Sequence, residues 1–140
     1  EGDVSGDRFE RLLTLLGRSR DEVFVTNAVL CNPRDGAGRN ARPLASELDA
    51  CRELLAETVE IVDPRFVITL GRVALETTRR IAPHALELGD AGRRFVDWHG
   101  RRIATLYHPS ARSAVHRSWR RQQNDARRLG RLLFSFADAS

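Results

Sequence analysis

Apolar residues along the chain change their spacing several times, and each change marks an element. In "DRFERLLTLL", Asp7 to Leu16, they fall at Phe9, Leu12, Leu13 and Leu16, the stripe of one helical face. Ser5 or Asp7 can cap that helix. "EVFVTNAVL", Glu22 to Leu30, is instead a β-rich run that predicts a strand buried on both faces. "CNPRDGAGRNARP" is dense in Gly, Pro and Asn and reads as a loop. Ser46, with Asp49 three residues on, opens a helix that runs through Ile61 and is stopped by Asp63-Pro64. "RFVITLG", Arg65 to Gly71, predicts a second buried strand, and "RVALETTRRI" the helix after it. "PHALELGDAGRRFVDWHG" has no clear period and holds a turn near Gly89 to Gly92 and a short hairpin. "RRIATLY" predicts a third strand. A last helix, Ser113 to Phe136, carries Trp119, Leu129, Leu132, Leu133 and Phe136 among recurring arginines.

Strands that alternate with helices predict an α/β fold built on a parallel sheet. In such sheets ligands bind beyond the carboxyl ends of the strands. That rule selects Thr26-Asn27 with the Cys31 loop, Gly71-Arg72, and Tyr107-His108-Pro109-Ser110.

Composition narrows the class. With 140 residues the chain spans at most one domain, and 41% hydrophobic with 30% charged residues is ordinary for a globular protein. No apolar run approaches the roughly 18–20 residues of a membrane span, so no membrane partner is expected. No secretory pattern opens the sequence, so a cytoplasmic location is the default expectation. Two cysteines are too few for a disulfide framework and fit a reducing compartment. All 23 basic residues are arginine, the net charge is +4, and the isoelectric point is near 10.3. Genomic base bias accounts for the choice of arginine over lysine. The excess and its clustering are the electrostatic footprint of nucleic-acid binding. There is no methionine, which reads as the later part of something longer.

The candidate chemistry lies at the strand ends. Asn27 interrupts an apolar strand with a primary amide. Such an amide accepts from a ring N–H and donates to a neighbouring carbonyl, a two-point match to uracil that cytosine reverses; equally, an asparagine there closes a turn. His108 either donates to charge developing on a leaving group or is half-buried and satisfied by the backbone. Its neighbours favour the first reading, because Pro109 fixes the exit of the chain and Ser110 and Arg112 suit a phosphate. His84, His99 and His116 lack such company and read as surface. Cys31 and Cys51 are half the usual thiolate set of an iron–sulfur cluster, or two reduced core cysteines. The arginines of "RSWRRQQNDARRLGR" are a nucleic-acid surface or the solvated face of an amphipathic helix. No glycine-rich phosphate loop is present, which argues against a nucleotide triphosphatase.

In order, "VFVTNAVLCNP", "DACRELL", "PRFVITLGRVAL" and "LYHPSAR" resemble the uracil-DNA glycosylase superfamily, nearest its iron–sulfur families four and five. The likeness runs from "GDVSGDRFERLL" to the final helix. It implies a three-layer α/β/α domain with a parallel sheet, residues 1–140 being its later part. It implies a monomeric DNA-repair enzyme that flips uracil out of DNA and hydrolyses its N-glycosidic bond. In that resemblance Asn27 reads the uracil edge and His108 stabilises the departing uracil anion. Pro109, Ser110, Ala111 and Arg112 press into the DNA and hold its phosphates, and Cys31 and Cys51 are two of four ligands of a 4Fe–4S cluster. The alternative is a non-catalytic protein of the same fold that binds damaged or single-stranded DNA. The superfamily's first motif, a strand ending in the loop with the water-activating residue, lies upstream of "GDVSGD" and is not in this sequence. The resemblance places that strand between the first two predicted here, which would leave both facing a gap. The expectation is therefore a fragment whose front is supplied separately. One branch reacts covalently with DNA through a histidine in an arginine-rich insert. Between Cys31 and Cys51 there are Arg34, Arg39 and Arg42 but no histidine, so that reaction is not expected.

Overall fold

The computed structural model describes residues 4–26 and 45–139, with side chains for 4–26 and 52–136. Helix α1, Val4–Leu16, buries Leu12, Leu13 and Leu16, the stripe the sequence spacing predicts. Helix α2 is Ala45–Val62, strand β1 Phe66–Leu70 and helix α3 Arg72–Ile81. A short strand β2, Val96–Trp98, leads through His99 and Gly100 into β3, Arg101–Leu106, and helix α4 runs from Trp119 to Ala139.

The sheet order is β1-β3-β2. β1 and β3 are parallel, with Phe66 opposite Arg102 and Leu70 opposite Leu106, whereas β2 pairs antiparallel to β3. The sheet is thus mixed rather than wholly parallel, because the hairpin of two adjacent strands can only close antiparallel. Side chains alternate across it. On one face Ile68, Leu70, Ala104 and Leu106 pack with Leu12, Leu16, Ala126, Leu129 and Leu133 of α1 and α4. On the other, Ile103 and Val67 pack with Val59, Leu75, Leu86 and Trp98, toward α2 and α3. Helices on both faces of one sheet make the three layers expected. Thr69 and Thr105 meet directly across β1 and β3, and their buried hydroxyls satisfy each other at 2.8 Å.

Two elements differ from the sequence reading. The last helix starts at Trp119, not Ser113. The hydroxyl of Ser118 accepts the Arg121 N–H at 3.2 Å, which caps α4 there, and Arg112–Val115 forms a separate 3₁₀ turn instead. The predicted strand Glu22–Leu30 is not a strand over its described part. Arg20–Glu22 is a 3₁₀ turn closed by the Glu22 carboxylate, which accepts the Ser19 N–H at 2.8 Å. Val23 to Thr26 join no ladder, and Phe24 is 62% exposed. Hydrophobic pattern needs a neighbour to become a strand. Among the described residues β1 pairs with β3 alone, so none reaches this segment. No helix among the described residues is long and apolar enough to cross a membrane.

Candidate functional site

β1 and β3 end side by side. The Gly71 N–H donates to the Leu106 carbonyl at 2.9 Å, extending the ladder by one rung at the carboxyl ends. Gly71 then begins α3, with its carbonyl accepting the Leu75 N–H at 3.2 Å. Its φ of 89° is one that side-chain-bearing residues rarely adopt. A Cβ on it would stand 3.1 Å from the His108 Cβ, so glycine lets the two chain exits lie together.

His108 is exposed on its outer side, while its inner side lies against Gly71. That partial burial lowers its pKa below the ordinary 6.5 by desolvation, which favours neutral imidazole. Among the described residues nothing hydrogen-bonds the ring, so both nitrogens are open to a ligand. The buried Pro109 anchors the chain just beyond. Ser110 donates its N–H to the His108 carbonyl at 2.8 Å, and its Oγ lies 3.1 Å from Ser113 Oγ while accepting the Ser113 N–H at 3.3 Å. Ala111 and Arg112 are exposed. A neutral imidazole with free nitrogens, backed by rigid backbone and flanked by an exposed arginine, can donate to a developing anion.

The loop is fastened at its far end too. Arg117 donates from Nε and Nη2 to the two carboxylate oxygens of Asp125, at 2.7 and 2.8 Å, and Asp125 is 1% exposed. That contact raises the Arg117 pKa further. The Gln122 amide donates to the Arg117 carbonyl at 2.9 Å, and the Arg117 guanidinium lies 5.8 Å from the Tyr107 ring centroid.

Other sequence expectations fare unevenly. Asn27 and Cys31 lie outside the described residues. Cys51 falls in α2, four residues before the buried Leu55. Among the described residues no group of three or more His, Cys, Asp or Glu could hold a metal. The donor chemistry of Cys31 and Cys51 suits iron, but two thiols fill only half of a four-thiolate set. His84 is not a free surface residue. Its Nδ1 accepts the Leu86 N–H at 3.3 Å, which leaves Nε2 to donate to Thr78 Oγ1 at 3.1 Å. Desolvation, then the nearby Arg79 charge, lowers its pKa. His99 pairs with Glu60 at 2.8 Å, and of the three histidines read as surface His116 alone is exposed without a side-chain partner among the described residues. In the sequence Gly92 marks only a turn and Arg117 and Arg128 only the arginine-rich tail, while neither Arg93 nor the Arg117–Asp125 pair stands out. The eight-residue spacing of that pair across a loop and a helix cap carries no local signature.

The family model of the uracil DNA glycosylase superfamily matches residues 2–131, and the chain belongs to that superfamily. A type-4 uracil-DNA glycosylase of Saccharolobus solfataricus is 33% identical over 114 residues, covering 77% of this chain and 51% of that protein. A type-4 uracil-DNA glycosylase of Archaeoglobus fulgidus is 23% identical over 142 aligned positions, with 92% of this chain and 65% of that protein covered. A type-5 uracil-DNA glycosylase of Pyrobaculum aerophilum is 33% identical over 122 residues, 78% of this chain and 51% of that protein. The chain thus spans about half to two thirds of the length of these relatives.

Proposed function

We propose that the protein, with the strand and loop that the resemblance places upstream, excises uracil from DNA by hydrolysing the N-glycosidic bond. One observation carries the reading: an unpartnered, neutral imidazole, His108, at the carboxyl ends of two parallel strands, in a chain of this superfamily. A base inside a duplex is out of reach, so the target nucleotide turns out of the stack at a cost of a few kcal/mol, least for a mispaired base. Asn27 reads the uracil edge by accepting from the ring N–H and donating to a carbonyl. As the sugar becomes oxocarbenium-like, His108 donates a hydrogen bond to the uracil oxygen on which negative charge collects. Pro109, Ser110, Ala111 and Arg112 sit against the DNA strand, and the Arg112 charge favours a phosphate.

Cys31 and Cys51 would supply two thiolates of a 4Fe–4S cluster, the other two coming from outside these 140 residues. Bound there, the cluster would act as a structural cross-link.

The test is release of free uracil from a uracil-containing oligonucleotide by the full-length protein, with a thymine-containing strand as control. Uracil release that requires His108 supports the reading. Tight binding to damaged or single-stranded DNA without release would replace it by the binding-protein alternative.

A further inference from the structure

Beside the carboxyl end of β3, arginines from three places converge on one concave pocket of about 290 Å³. They are Arg93 after the 3₁₀ turn Leu88–Asp90, Arg117 before α4, and Arg128 within α4. Their charges are unequally matched. Arg117 is balanced by Asp125, whose two oxygens it occupies. Among the described residues Arg128 donates only to the neutral Gly92 carbonyl, at 3.3 Å. The Arg93 guanidinium has no hydrogen-bond or ion-pair partner among the described residues. The nearest acid along the chain, Asp90, is engaged with Arg94 at 3.6 Å and with the Glu87 N–H at 2.9 Å. Three guanidinium groups and one buried carboxylate leave roughly two positive charges unanswered around one concavity, a local excess that attracts an anion.

The arrangement is built. Gly92 donates its N–H to the Thr105 carbonyl at 2.9 Å, tying this loop to β3. Its φ is 72°, and a Cβ there would fall 2.4 Å from the Asp125 Cβ. Glycine therefore lets the loop press onto α4, and that contact sets Arg93 beside Arg117 and Arg128. Planar guanidinium forks suit the oxygens of a phosphate. Arg117 also lies next to Tyr107, one residue before His108, so the pocket adjoins the proposed reaction site.

We propose that this pocket binds a backbone phosphate of the DNA strand, as an anchor separate from the Pro109–Arg112 loop. The proposal rests on the DNA-directed reading above and names a second contact for the same ligand.

DNA affinity of the full-length protein is measured across a salt series for wild type, Arg93→Gln, the double variant Arg93→Gln/Arg128→Gln, and Arg94→Gln. Arg94→Gln removes the same charge one residue away, outside the pocket. One lost phosphate contact lowers the slope of log affinity against log salt by about 0.9. Arg93→Gln and the double variant are expected to show that fall and a several-fold loss of affinity on every DNA sequence, and Arg94→Gln much less. Equal slopes for Arg93→Gln and Arg94→Gln would overturn the proposal, as would failure of the wild type to bind DNA. If Arg93→Gln abolishes thermal stabilisation by inorganic phosphate but keeps the wild-type DNA slope, the pocket takes free anions and the DNA assignment is wrong. Uracil release is scored separately. A slope change without uracil release would retain the anchor and refute the glycosylase reading.

Discussion

Gly71 and His108 stand so close that a single methyl on the first would reach within 3.1 Å of the second's Cβ. Gly71→Ala both crowds His108 and places alanine at a φ of 89°. Backbone strain of this kind costs on the order of 1–3 kcal/mol. We expect a stability loss of that size by denaturant unfolding, with single-turnover excision slowed beyond what lost folding explains. A variant that is destabilised yet excises at the wild-type rate would show that the contact shapes the sheet edge and not the imidazole.

His108→Ala separates chemistry from binding. A donor that acts on charge developing in the transition state typically contributes about 10²–10³ in rate. Excision should fall by that factor with DNA affinity nearly unchanged. Arg112→Ala should do the reverse, weakening binding and flattening its salt dependence. Loss of affinity at constant rate in His108→Ala would make the histidine a DNA-positioning group.

Both His84 and His108 have pKa values below the ordinary 6.5, chiefly from desolvation. The unfolded chain therefore takes up protons before the folded one does, and stability falls as pH drops below about 6.5. Above that pH both states hold neutral rings and the two groups contribute no pH dependence. Denaturant titrations from pH 8 to pH 5 should show this decline, and replacing either histidine by asparagine should reduce it. Because the neutral ring is the proposed donor form, the acid limb of excision should also lie below pH 6.5.

Asn27→Asp inverts one of the two contacts assigned to uracil. Each lost contact costs on the order of 1–3 kcal/mol. Uracil excision should fall accordingly, measured beside a cytosine-containing strand in the same assay. Unchanged single-turnover excision in Asn27→Ala would make the residue a turn former.

Iron content tests the two cysteines. The full-length protein, prepared without oxygen, should be brown and contain iron, and Cys31→Ala or Cys51→Ala should bleach it and lower its melting temperature. Iron near zero in the wild type would return both residues to ordinary thiols.

Legibility followed locality. α1 and α3 were readable because their stripes and stops lie within a dozen residues, and α3 matches the predicted Arg72 to Ile81 at both ends. His108 and Gly71 were readable as strand ends, since a parallel sheet puts its sites there. Their mutual contact was not, because it depends on a register that pairs residues 36 positions apart. Ser118 is a local cap signal, masked by the arginine-rich run in which it stands. Glu22 to Thr26 misled for the opposite reason: the pattern was right for a strand, but pairing is supplied by a neighbour and not by the segment itself. Arg117 and Arg128 belong to the arginine-rich tail and Arg93 to a distant loop, and only the fold brings the three to one pocket.

The segment from His108 to Arg117 is held at both ends, by the buried Pro109 beside β3 and by the Arg117–Asp125 pair on α4. Its tip carries Val115, 81% exposed. Between these fixtures the Arg112–Val115 turn and the Ser110–Ser113 bonds brace the arc from within. On the DNA-directed reading proposed above, a strand pressing on the tip would meet a strap with both buckles closed, and the imidazole beside the first buckle would keep its aim.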